Sequence, residues 1–176
     1  MQEEPTVESR RIYRGRVIGV RVDTVRLPKG GTSLREIVEH GHAVVIVPVD
    51  PMGRVLLVRQ YRKAAGKTLL EAPAGGLDEG EAPEEGALRE LQEETGFIAG
   101  KLQPMGGFWT TPGFCTEYMH AYLASELRRS ALAPDEDESI EVVPVPLTQV
   151  PDLIRSGGIE DAKSIAALLM ALHIFN

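Results

Sequence analysis

Three carboxylates within five residues, Glu90, Glu93 and Glu94, are the densest grouping of potential chemistry in the chain. At 100° per residue they fall within about one third of a helical circumference, while Ala87, Leu88 and Leu91 fall on the neighbouring face. The spacing thus predicts a helix with one packing face and one crowded with negative charge. Glu90 and Glu94 form an i,i+4 like-charge pair, worth roughly 0.2–0.5 kcal/mol of repulsion in an isolated helix. Arg89 offsets part of it through Glu93. On an arbitrary helix such a face is simply solvated, and that reading stays open here. Beside the loop Gly75-Gly76-Leu77-Asp78-Glu79-Gly80, oxygen ligands at this density also suit a hard divalent cation, Mg²⁺ or Mn²⁺. The loop lacks the Lys-Ser/Thr pair of a Walker A loop, which argues against P-loop chemistry.

The elements that must position these groups follow from periodicity and turn chemistry. Pro83 at a first helical position and Gly96 as the residue after the last turn bracket a helix over 83–95. Upstream, β-branched residues from Gly15 to Leu27, the turn Pro28-Lys29-Gly30-Gly31 and the stretch Leu34–Glu39 predict a hairpin. Ala43 to Val47 and Val55 to Val58 are apolar runs of strand length around the turn Asp50-Pro51-Met52-Gly53. Downstream, strands are expected over Ala99–Thr110 and Glu117–Ala124, flanking a Pro112-Gly113 turn, and over Ile140–Val145 after the acidic run Asp135–Glu138. A short helix near Leu147–Arg155 and a longer one over Asp161–Phe175, with Ile165, Leu168, Leu169 and Leu172 at helical spacing, complete the chain. The order reads as a single α+β or α/β unit without repeats or linkers.

Composition narrows the function classes. A length of 176 residues with 43% hydrophobic and 26% charged residues is ordinary for one soluble domain. A net charge of -7 repels nucleic acid and anionic lipid, so neither is an expected partner, and a phosphate ligand needs local cations or a metal. Cys115 is the single cysteine, which excludes an intrachain disulfide and points to the reducing cytoplasm. No targeting signal or membrane span is expected.

Gly75, then Glu81 after five residues, then Arg89-Glu90-Leu91-Gln92-Glu93-Glu94-Thr95-Gly96-Phe97 after seven more, resembles the Nudix box, the defining motif of the Nudix hydrolases. At background frequencies of about 7% per position, seven fixed positions coincide by chance on the order of once in 10⁸ trials. Phe97 departs from the usual Ile, Leu or Val, at an apolar packing position. Glu39-His40-Gly41-His42-Ala43-Val44-Val45, Val58-Arg59-Gln60-Tyr61-Arg62, Leu70-Glu71-Ala72-Pro73-Ala74-Gly75 and Thr111-Pro112-Gly113-Phe114 are similar to the ADP-ribose pyrophosphatase branch, and Pro112 sits at that branch's distinguishing proline. The resemblance implies an α/β/α sandwich with a mixed sheet, in which the box forms a loop, a helix and a loop. The expected organisation is one domain over 1–176, with N-terminal strands over 1–40 and a Nudix core over 41–176.

The resemblance also implies roles. More than one Mg²⁺ or Mn²⁺ is held by Glu90, Glu93, Glu94 and the carbonyl of Ala74, and such ions supply an activated water and neutralise a pyrophosphate. Glu136 is expected as base and Glu138 as a supporting ligand. Glu81 is a ligand or a structural acid at the helix start, and Arg89 orients Glu93. Arg62 and Arg59 are expected on phosphate oxygens, through the bidentate fork a guanidinium offers, with an ordinary surface cation as the alternative at Arg59. Glu71, Glu117 and Pro112 are expected to contact the nucleotide sugar. Trp109 lines the core or the nucleoside pocket. His40, His42, His120 and His173 lack ligand spacing and are expected to be structural, as is the Cys115 thiol. The implied activity is hydrolysis of ADP-ribose to AMP and ribose 5-phosphate by a cytoplasmic homodimer whose N-terminal strands exchange. The alternatives are another nucleoside diphosphate sugar, a dinucleoside polyphosphate, or a nucleotide-sensing module without turnover.

Overall fold

The computed structural model describes residues 3–130 and 140–175, which divide into two compact units. The larger comprises Ala43–Phe108 and Met119–Asn176 and is built around β4 (Ala43–Pro48), every residue of which is buried. Its alternate side chains enter two separate cores. Ala43, Val45 and Val47 pack with Ala167, Leu168 and Ala171 of helix α3 (Ala162–Phe175), whereas Val44 and Ile46 pack with Ala87 and Leu91 of helix α1 (Pro83–Thr95). A strand covered on both faces has no polar side to show, which is why its sequence is continuously apolar. The two helices therefore lie on opposite faces of the strand, the expected α/β/α layering.

β4 runs parallel to β10 (Tyr118–Ser125) and antiparallel to β7 (Ala74–Gly76), giving a mixed sheet of order β7-β4-β10-β9, with β9 spanning Lys101–Trp109. Pairing of Ala43 with Gly76 and Val45 with Ala74 places the glycine loop at the end of this sheet, directly ahead of α1. A second sheet, β12-β5-β6, joins Glu141–Pro146, Arg54–Arg62 and Lys67–Glu71. Two short strands, β8 (Phe97–Ile98) and β11 (Arg128–Arg129), pair with each other, and a 3₁₀ turn at Leu147–Gln149 leads into α2 (Val150–Ser156).

The predicted bounds of α1 hold at both ends. Pro83 occupies the first turn, and Gly96, at φ 72°, ψ 18°, donates its N–H to the Gln92 carbonyl, a left-handed cap that glycine adopts without Cβ strain. The packing face differs from expectation by one side chain. Leu88 is 38% exposed, and the buried stripe instead runs Ala87, Leu91, Glu94, because β4 and β7 meet the helix along that i, i+4, i+7 line. In α3 the buried positions are Ser164, Ala167, Leu168 and Ala171, leaving the expected core residue Leu169 half exposed.

The smaller unit comprises Met1–His42 and Trp109–Tyr118. Its antiparallel sheet has the order β1-β2-β3, with β1 Thr6–Arg14, β2 Ile18–Arg26 and β3 Thr32–His40; β2 and β3 form the predicted hairpin. β1 lies within the N-terminal strands expected over 1–40, ahead of the stretch from Gly15 where periodicity first placed one. It is exposed along its whole length and is held by its backbone pairing to β2, which leaves no apolar alternation to detect. Trp109–Tyr118 joins this unit through main-chain bonds from Val38 N–H to the Phe114 carbonyl (2.7 Å) and from Thr116 N–H to the Val38 carbonyl (3.0 Å).

Candidate active site

The box places its acids around one guanidinium. Arg89 donates Nε to Glu81 Oε1 and Nη2 to Glu81 Oε2, both at 2.9 Å, and a further Nη2 hydrogen to the Gly76 carbonyl at 2.9 Å. Its Nη1 reaches Glu90 Oε1 at 2.7 Å and Glu93 Oε2 at 2.9 Å. The guanidinium is planar and presents its donors in a fixed fork, so one side chain ties the loop, the start of α1 and two helix carboxylates together. Hydrogen bonding to Glu81 and then the charge of Glu90 raise the Arg89 pKa against the opposing effect of burial. Glu81 answers with a carboxyl lowered to about 2, held there by Arg89 and by the Asp78 N–H. Glu81, open as ligand or structural acid, is thus the partner that fixes Arg89.

Glu94 lies on the packed side of the helix, 7% exposed, and accepts the Ala74 N–H at 3.1 Å. Glu90 lies against the loop so closely that a Cβ at Gly75 would overlap its carboxylate. Only glycine permits this approach of helix and backbone. Ala74, Gly75, Glu90, Glu93 and Glu94 are therefore brought together at one corner of the larger unit. Among the described residues, no three His, Cys, Asp or Glu side chains converge as a ready ligand cage; Arg89 sits on Glu90 and Glu93 instead.

A second charged cluster adjoins the first. Arg62, at the end of β5, donates Nε to Glu71 Oε1 at 2.9 Å and Nη2 to Glu71 Oε2 at 2.8 Å. Glu71 is 1% exposed and also accepts from Lys163 Nζ, so it acts from behind Arg62. Burial pushes its carboxyl up, but the Arg62 hydrogen bonds and the Lys163 charge outweigh this and leave it lowered. The Arg62 pKa is raised, first by Glu71 and further by the charges of Glu94 and Asp161, which ties this cluster electrostatically to the box. Lys163, Asp161 and Ser164 were not among the expected site residues, although Asp161 was expected to begin the last helix. The signal available was Asp161 with Ser164 three residues on, a helix N-cap pattern: Asp161 Oδ2 accepts the Ser164 N–H at 2.9 Å.

Arg59 donates to Glu141 Oε2 at 2.6 Å on the exposed side of β5. Pro112 and Glu117 belong to the smaller unit, where Glu117 lies 3.5 Å from His40 Nδ1. Trp109 is 52% exposed and meets Tyr118 edge-on at 5.2 Å, so it is not a core residue. Glu136 and Glu138 lie outside the described residues. Among the described residues, no helix is long and apolar enough to cross a membrane.

The sequence matches the model of the NUDIX domain over residues 39–168 and that of the nucleoside diphosphate sugar hydrolase N-terminal domain over residues 4–38. It is 44% identical over 168 residues to a Bacillus subtilis protein named ADP-ribose pyrophosphatase, covering 94% of this chain and 91% of that one. A Bacillus methanolicus protein named methanol dehydrogenase activator is 39% identical over 168 residues, with the same coverage of 94% and 91%. Among solved structures, an ADP compounds hydrolase superposes with a TM-score of 0.89 at 26% identity, over 99% of this chain and 95% of that one. The glycine loop, the Arg89-centred acids and these matches converge: the chain belongs to the Nudix family.

Proposed function

We propose that this protein hydrolyses the pyrophosphate bond of ADP-ribose, giving AMP and ribose 5-phosphate, with divalent cations as cofactor. The observation that carries the reading is the clamp of Glu81, Glu90 and Glu93 on Arg89 beneath the Gly75–Gly76 backbone. The names of the Bacillus subtilis relative and of the solved ADP compounds hydrolase support the substrate. The donor set fits a hard cation, since it offers only oxygen: the carboxylates of Glu90, Glu93 and Glu94 and the carbonyl of Ala74. These residues would hold more than one Mg²⁺ or Mn²⁺. When bound, the cations neutralise the pyrophosphate and acidify a water.

The protein's own groups supply the rest. Arg89 orients Glu90 and Glu93, and Glu81 keeps Arg89 in place. Arg62, steadied by Glu71, offers phosphate oxygens the guanidinium nitrogen that Glu71 does not use, while Arg59 on the same strand would have to leave Glu141 to add a second contact. Glu136 takes the proton of the attacking water as its oxygen bonds to phosphorus and the bridging oxygen leaves with the other phosphate. Glu138 supports the cations, and Pro112 and Glu117 contact the nucleotide sugar. The active form is a cytoplasmic homodimer joined through the N-terminal sheets.

The test is phosphate-coupled hydrolysis of ADP-ribose, ADP-glucose, GDP-mannose, diadenosine polyphosphate and NADH with Mg²⁺ or Mn²⁺, for wild type and Glu94→Gln. ADP-ribose turnover that collapses in the variant is expected. Selective cleavage of another member replaces the substrate, and tight ADP-ribose binding without turnover of any member overturns the enzyme reading in favour of a sensing module.

A further inference from the structure

The first turn of α3, held together by Asp161, meets the strand segment that leads into the box at two points. Asp161 Oδ2 caps the helix by accepting the Ser164 N–H and also accepts Lys163 Nζ at 2.8 Å. Ser164 Oγ accepts the Ala72 N–H at 2.7 Å, in a fully buried position. Lys163 Nζ reaches the Glu71 carboxylate beside Arg62. Glu71 and Ala72 lie within three residues of Ala74, so this turn fixes the backbone next to the box as well as the Arg62 side chain.

The charge count in this cluster is balanced, with Arg62 and Lys163 against Glu71 and Asp161. Glu71 is shut off from water, so the ions that neutralise it must come from the protein. With Arg62 alone it would consume the charge of that guanidinium. The four charges alternate, Asp161, Lys163, Glu71, Arg62, so a second cation on Glu71 Oε2 leaves the row neutral with its positive end at Arg62. Arg62 commits Nε and Nη2 to Glu71, and among the described residues Nη1 has no protein acceptor. The Lys163 side chain is itself only 17% exposed against 40% for Arg62, so Arg62 is the member of the pair open to a ligand.

We propose that Lys163 is a positioning residue for phosphate recognition: by sharing the buried Glu71 carboxylate, it holds the Arg62 guanidinium in place and keeps its positive end turned toward a substrate diphosphate. The ligand class rests on the function proposed above. Substituting Met for Lys163 keeps the length and apolar stem but leaves the cluster net negative, which weakens anion binding. An Arg at this position restores the charge.

The experiment compares wild type, Lys163→Met and Lys163→Arg by ADP-ribose kinetics, by calorimetric binding of inorganic pyrophosphate in EDTA, and by thermal unfolding to establish that each variant is folded. Lys163→Met is expected to raise KM and weaken pyrophosphate binding by about tenfold with kcat within about twofold, and Lys163→Arg to recover most of both. A folded Lys163→Met with wild-type KM and pyrophosphate affinity overturns the proposal and leaves the hydrolase reading standing. Equal losses in Lys163→Met and Lys163→Arg also overturn it, since charge would then be irrelevant. Pyrophosphate binding that depends on Lys163 in a wild type without ADP-ribose turnover upholds the role and removes the substrate. A wild type that neither binds pyrophosphate nor turns over ADP-ribose overturns both.

Discussion

At the scale of single residues, the site depends on carboxylates kept ionised by fixed cations, and the sign of that arrangement fixes its response to acid. Glu81 receives two hydrogen bonds from Arg89 and one from the Asp78 N–H, and its carboxyl stands at about 2 instead of 4.5. Between those values the unfolded chain binds a proton that the folded chain does not. The stability Glu81 contributes is therefore complete above its unfolded pKa and is lost as pH falls toward 2. Glu81→Gln is expected to unfold at lower urea than wild type at about pH 7, with the difference narrowing by about pH 3. Urea midpoints across that range check it; curves that stay parallel would mean the ion pair adds nothing to folding. Arg89 and the acids of the box were legible because their types and spacing recur in one local helix. Lys163 was not, because its partner is Glu71, far away along the chain, and nothing in a lysine's neighbours announces a distant buried acid.

At the scale of elements, legibility followed how local the determining interactions are. α1 was bounded correctly by a proline and a glycine that act on the backbone within one turn, and β4 by its unbroken apolar run. β1 was covered by the N-terminal strands expected over 1–40 but not placed by periodicity, because its pairing with β2 depends on main-chain bonds and leaves its side chains exposed. The face of α1 that packs was misjudged at Leu88 and Glu94 because the contacts come from β4 and β7, which a helical wheel does not contain. The same helix has an incomplete start. Glu85 reaches back to the Ala82 N–H at 3.3 Å, one half of a capping box, but Ala82 has no side-chain oxygen to satisfy the helix's own N–H groups. Ala82→Ser supplies it and is expected to stabilise the fold by about 0.5–1 kcal/mol. It should leave turnover unchanged, because the side chain at position 82 is none of the groups proposed to hold cations or substrate. An unchanged urea midpoint would show that water already satisfies those groups.

At the scale of the molecule, the grouping of Trp109–Tyr118 with the N-terminal strands could not be read from sequence, since Val38, Phe114 and Thr116 meet through backbone groups that any residue carries. The consequence for assembly lies in β1. Among the described residues it pairs on one side only, with β2, which leaves its other edge as an open strand edge. Val7, Ile12 and Tyr13 on this strand are each more than half exposed, as are Val17 in the turn to β2 and Leu34 on β3. An open strand edge with three exposed apolar side chains invites association, and natural sheets that keep one cover it. The proposed partner is a second copy, whose own β1 offers the same unpaired edge and whose body supplies the excess acid that the chain's net charge of -7 requires, against Arg10, Arg11, Arg14 and Arg16 on and beside this strand. Sedimentation equilibrium is expected to return about twice the 19.2 kDa chain mass. Ile12→Glu places a charge on the covered edge and should shift the species toward monomer at micromolar concentration while the larger unit, with its separate cores around β4, stays folded by circular dichroism. A wild type that sediments as a monomer at every concentration would mean that β1 stays open to solvent, and that the substrate must then be bound by one chain alone.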